Sequence, residues 1–171
     1  MKRPEENEYS KYYNQYVNTV KGNNVIAVLE DLSESTFTFL SKIPEEKGNY
    51  RYSDGKWSVK EVVGHLIDTE RVMTYRALRF ARNDKQELSG FDQDDYVKNT
   101  DFGKRTLKNL AYELRSLKKA DLFLYKSFND EELTRSGIAN GVSVTVNALL
   151  YIIAGHELHH LNIIKERYLS G

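Results

Sequence analysis

The residues in this chain best suited to chemistry are histidines. His156 and His160 stand four apart in the stretch Leu149 to Ile164. That stretch reads as a helix with Leu149, Ile152, Ile153, Leu161 and Ile164 on one apolar stripe. The spacing places both imidazoles one turn apart on that stripe. Leaving two imidazoles unpaired on a buried face is costly, and a metal ion would satisfy both. The histidine outside this cluster, His65, also falls on the apolar side of a predicted helix. Three neutral imidazoles with an open fourth position make the ligand set of a catalytic zinc site. The same set accepts nickel, iron, cobalt or copper. An ion so held lowers the pKa of a bound water or thiol. With water the outcome is a hydrolase; with a small-molecule thiol it is a transferase acting on an electrophilic carbon.

Neighbouring residues offer supporting roles. Glu157 follows His156, and His156 to His160 matches the H-E-x-x-H pattern of zinc proteases. That protease reading is disfavoured, because it needs a further ligand downstream and a sheet to bind an extended peptide. Glu157 keeps a candidate role as general base. A di-iron bundle fails, since it needs two Glu-x-x-His motifs and Val62 stands three residues before His65. His159, about 100° round the helix from His160, reads as a rim residue. Asp68, near His65, could orient an imidazole or contact substrate, or be a solvated helix residue. Arg76 continues the row of His65 and could hold a substrate carboxylate, or pair with a neighbouring glutamate. Asp92, Gln93 and Asp95 lie on a long loop, where binding residues gather, or they serve the loop itself. Trp57 precedes a helix and is expected to staple its start.

The elements that must position these side chains are helices. Asn23 or Asn24 can cap a first long helix ending near Ile43, before Pro44. Glu45 to Lys56 reads as a loop. Ser58 and Glu61 form a capping box for a second helix from Val59 to about Arg82. Residues 83–105 show no helical period and exceed what a tight turn needs. Such a crossover permits the second and third helices to run parallel. The third helix spans about Thr106 to Phe128, and Asn129 to Leu133 looks like a capped single turn. Residues 134–142 read as a loop, and Ser143 or Thr145 caps the last helix, which ends near Tyr168. No strand of convincing length is predicted. The expected fold is all-α: a four-helix bundle with one long crossover, in a single domain over residues 1–171. Residues 1–21 form an N-terminal extension whose Tyr9, Tyr12, Tyr13 and Tyr16 pack on the bundle or make a dimer contact.

Composition excludes several classes. Lys plus Arg and Asp plus Glu both number 25, and zero net charge argues against a nucleic-acid partner. The chain has 0 cysteines, so any thiol must arrive with a small molecule. No leader pattern and no long apolar span are seen, so a cytoplasmic protein off the membrane is expected.

Three segments carry a resemblance. They are Gly55 to Asp68, including Trp57-Ser58, Glu61 and His65; the loop Gly90 to Tyr96; and Ala154 to Asn162. Together they resemble the DinB superfamily, which includes YfiT-like metal-dependent hydrolases and the bacillithiol and mycothiol transferases. The likeness covers about residues 23–169. It implies a four-helix bundle of up-down-down-up topology and a homodimer. It implies a divalent metal, zinc or nickel, on His65, His156 and His160. The implied activities join a low-molecular-weight thiol to an electrophilic small molecule, or isomerise one with a thiol's help. A non-catalytic metal- or thiol-binding stress-response protein is the alternative.

Overall fold

Side-chain caps set the helix boundaries in the computed structural model, which describes residues 2–169. A short helix α1 spans Asn14–Thr19. Asn24 accepts from the Ala27 amide and opens α2, Val25–Leu40. The Ser58–Glu61 capping box opens α3, Val59–Ala81. Asp92 accepts from the amides of Asp94 and Asp95 and opens α4, Gln93–Lys98, inside the crossover. Thr106 caps α5, Leu107–Ser127, and Asn129 starts α6, Asp130–Thr134, with a second capping box. Thr145 caps α7, Val146–Ile163, which continues as a wider turn over Ile164–Tyr168.

The structure is mostly helical but not wholly so, and this corrects the all-α expectation. Strands β1, Ser136–Ala139, and β2, Val142–Thr145, form an antiparallel hairpin where a loop is expected. Asn140 and Gly141 turn it with positive φ values of 54° and 74°. That is the two-residue Asn-Gly turn whose twist matches the strands it joins. The crossover adds to β1: the Leu88 amide donates to the Ile138 carbonyl at 2.9 Å, and Asn140 returns its amide to Leu88 at 2.9 Å.

Four long helices meet through specific pairs. Glu34 of α2 meets Arg115 and Lys119 of α5, and Phe37 meets Tyr112, so these two run antiparallel. Arg71 and Thr74 of α3 meet Glu113 and Asp121 of α5, which sets that pair parallel. Tyr168, after α7, donates to the Trp57 carbonyl before α3, while His65 meets His156, so α3 and α7 are antiparallel. Thr36 of α2 meets Glu157, and Phe39 meets Lys165, so α2 and α7 run parallel. No helix is long and apolar enough to cross a membrane among the described residues.

The apolar core is divided. One part gathers Leu29 and Leu32, Met73 to Phe80, Leu122, and Leu149 to Ile153. The other gathers Leu40, Val59 to Ile67, Leu107 to Leu114, and Ile164. Between them in sequence, on every long helix, stand buried polar residues: Thr36, Thr69, Glu70, Lys118 and Glu157, and the buried Thr74 adjoins them on α3. The histidine cluster sits at the level of this polar layer.

The N-terminal segment is part of the fold. Helix α1 lies on α7 at Gly155, where a methyl group would collide with the backbone of Tyr16. Arg3 ties the carbonyls of Val17 and Val20 and lies 5.7 Å from the centre of the Tyr151 ring. Tyr9 and Tyr16 are buried, whereas Tyr12 is exposed.

Candidate metal centre

Antiparallel packing of α3 on α7 brings His65 to His156 and His160. Their ring nitrogens lie within 4.8 Å of one another. The His65 Nε2 to His156 Nε2 distance is 3.0 Å. A tetrahedral ion with Zn–N bonds of about 2.0–2.1 Å holds its ligand nitrogens roughly 3.4 Å apart. The His65–His156 pair lies close to that spacing, and imidazole suits a divalent transition metal. The Thr69 hydroxyl lies 3.4 Å from His65 Nδ1. The tautomer that donates Nδ1–H to Thr69 leaves the Nε2 lone pair free to ligate. Trp57 covers His65, with ring centres 4.8 Å apart, so it does more than staple the start of α3. Tyr16 stands edge-on to His156 at 5.3 Å and to His159 at 5.4 Å.

Burial keeps these imidazoles uncharged. It lowers the pKa of His65 to about 4 and, with neighbouring histidines, that of His160 to about 3. His156 is driven well below its ordinary value by burial, then by the other histidines and Lys118. Neutral rings are the form that binds metal. An unfolded histidine titrates near pH 6.5, so between about 6.5 and 4 the unfolded chain binds more protons. The metal-free protein therefore loses stability as pH falls through that window. His65 alone accounts for on the order of 3 kcal/mol across it. Urea midpoints of chelated protein at pH 7 and pH 5 check this; equal midpoints would refute neutral burial of the rings.

The other candidate residues divide. Two of the rings, His65 and His156, open into a cleft of ≈ 330 Å³. Arg76 and Gln93 line the same cleft, with Tyr12, Tyr13 and Phe91. Asp68 does not line it. It sits 3.8 Å from Arg71, on the side of α3 that faces Glu113 of α5, and burial raises its pKa. Thr69, not Asp68, is the neighbour of the His65 ring. Asp92 caps α4. Arg76 has no glutamate partner among the described residues; its guanidinium donates to the Ser89 carbonyl at 2.9 Å.

Glu157 also departs from expectation. One residue past His156, it points about 100° away. Its carboxylate lies 2.5 Å from Lys118 Nζ and accepts from the Thr36 hydroxyl at 2.5 Å. The general-base role gives way to a place in the buried polar layer. Sequence reasoning also misses Lys118, which no motif marks, and gives Thr69 no role although it continues the row of His65. The tyrosine spacing in the N-terminal segment is the one signal for Tyr16.

Known proteins agree with this architecture. A protein of Oceanobacillus iheyensis named "Putative metal-dependent hydrolase" is 26% identical over 134 residues, 74% of this chain and 73% of its own. A Geobacillus thermodenitrificans protein of the same name is 23% identical, over 79% of this chain and 77% of that one. Among solved structures, Bacillus subtilis YfiT, described as "a probable metal-dependent hydrolase with an unusual four-helix bundle topology", has a similar fold. Its TM-score is 0.75 at 18% identity, over 95% of this chain and 89% of that one. The DinB-like protein YjoA of Bacillus subtilis superposes with a TM-score of 0.60 at 21% identity, over 84% of this chain and 87% of that one. The DinB superfamily model matches residues 27–164, and the chain belongs to that superfamily.

Proposed function

We propose that this protein is a metal-dependent enzyme in which His65, His156 and His160 hold a divalent ion, zinc or nickel. The reaction is transfer to an electrophilic small molecule, with water or a low-molecular-weight thiol as nucleophile. One observation carries the reading: three neutral imidazoles converge, two of them lining a cleft, without a carboxylate among the described residues to explain them. The ion supplies Lewis acidity, which makes a water or thiol nucleophilic near neutral pH. The chain's own groups do the rest. Thr69 fixes the His65 ring, Trp57 and Tyr16 shield the imidazoles from bulk water, and the cleft admits the acceptor. The same reading includes an up-down-down-up order for α2, α3, α5 and α7, which the four residue pairings support.

Glu157 is engaged by Lys118, which favours thiol over water, since a thiol needs less help from a base. A binding protein without turnover is the second reading, and the same engagement of Glu157 favours it. Protein purified without a histidine tag is expected to carry about one divalent ion per chain, removable by chelation. Metal-loaded protein is then given a chlorinated aromatic acceptor with bacillithiol or glutathione, and separately an ester without thiol. Adduct formation identifies a transferase and ester turnover a hydrolase; bound metal with neither leaves the binder. A chain that takes up no ion under any loading condition sinks the metal reading.

A further inference from the structure

The C-terminal half of α3 and its cap carry four arginines: Arg71, Arg76, Arg79 and Arg82. Three have carboxylate partners, Arg71 with Glu113, Arg79 with Asp84 and Arg82 with Glu132. Arg76 is 4% exposed and has none among the described residues. Its guanidinium offers five donors. Ser89 takes one and the Met73 sulfur, at 3.6 Å, takes a weak one. A buried cation without a counter-ion is costly unless something else supplies the charge. Of the side chains lining the cleft, Arg76 is the one that is charged at neutral pH, since His65 and His156 are held neutral.

The surroundings of Arg76 have the character of a binding site. Phe91 lies against the guanidinium, 5.8 Å from it to the ring centre. Tyr13, half-buried, lines the same cleft, and it and the guanidinium each act on the other's ionisation. Tyr12 and Met73 add apolar wall. The position of Arg76 is fixed by chain geometry: Ser89 belongs to the crossover segment that Leu88 pins to β1, and a side chain at Gly90 would collide with Asn140. Tyr12 and Tyr13 precede residue 27, so they come from outside the part of the chain that the family model matches.

We infer that Arg76 is a specificity-determining residue that binds the carboxylate of the substrate, with the flat apolar body of that molecule held between Tyr13 and Phe91. A single guanidinium balances a monoanion, and its fork matches the two oxygens of a carboxylate. Eleven residues of α-helix separate the Cα atoms of His65 and Arg76 by about 16 Å. The substrate is therefore an elongated monocarboxylate whose reactive end lies toward the histidines. This deepens the proposed function by naming the class of acceptor.

The test compares 4-phenylbutyrate with its amide, titrated by calorimetry into the full-length protein, metal-loaded and chelated. In both forms the acid is expected to bind about 10–100-fold tighter than the amide, the range for losing a charged hydrogen bond. Arg76→Met removes that preference while helicity and metal content stay at wild-type levels. Equal binding of acid and amide by the wild type overturns the inference, as does a preference that persists in Arg76→Met. If that variant fails to fold, the wild-type comparison decides alone. Preference in the chelated protein separates this subsite from ligation at the metal: it survives even if the metal reading fails, and its absence leaves that reading standing.

Discussion

Lys118→Met is expected to lower the unfolding free energy by about 3–5 kcal/mol, the usual cost of breaking a buried ion pair from one side. Lys118 is 2% exposed, with Nζ 2.5 Å from Glu157 and 3.5 Å from Glu70. Burial opposes its charge, but the two carboxylates outweigh that and raise its pKa. Glu70 also accepts from the Tyr125 hydroxyl at 3.1 Å, and Tyr125 meets Thr74 at 2.5 Å. Methionine fills the same volume but leaves two carboxylates in the layer without a cation. Burial already raises the pKa of Glu157 against the pull of Lys118, so loss of the lysine raises it further. The folded variant then binds more protons than the unfolded chain. Its stability falls as pH rises above the unfolded glutamate value of about 4.3. The defect is therefore larger at pH 7 than at pH 5. Adding Glu157→Gln to Lys118→Met recovers much of the loss, because the unpaired charge has gone. Urea unfolding at both pH values measures this; a single-variant loss below about 1 kcal/mol would mean that the layer tolerates bare carboxylates.

That layer shows where sequence reading ends. Helix starts are local chemistry, so Ser58 is legible from residue type and spacing alone, Asn24 and Thr145 are each one of two candidates, and Thr106 is legible only as the approximate start of its helix. Strands of four residues are too short to register as a period, but Asn140-Gly141 is itself a hairpin signal, and periodicity alone passes over it. The His156–His160 pair is written in one helix. Its meeting with His65 depends on the register of α3 against α7, which neither helix encodes by itself. Glu157 is partly legible: a helix that turns His156 toward α3 must turn the next residue elsewhere. That Lys118 waits there comes from α5 and its packing. The missing partner of Arg76 is likewise invisible in sequence, where Glu70 and Glu113 are equally available to any arginine on α3.

His65→Ala is expected to weaken divalent-metal binding by more than about 100-fold, because loss of a mere outer partner of a ligand already costs roughly 10–100-fold. His65 is the sole contribution of α3 to the group; the two remaining rings, on α7, offer an incomplete set. Thr69→Ala supplies the graded control. It removes the hydroxyl 3.4 Å from His65 Nδ1 while keeping every ring, so its loss falls in the roughly 10–100-fold range. His159→Ala is expected to leave affinity unchanged, since His159 adjoins His160 but stands outside the three-ring group. Competition with a coloured chelator ranks the variants, and circular dichroism of each metal-free protein guards against loss of fold. The order matters more than any single value. Affinity kept in His65→Ala and lost in His159→Ala would place the ion on α7 alone, and the pairing of α3 with α7 would then have no part in the chemistry.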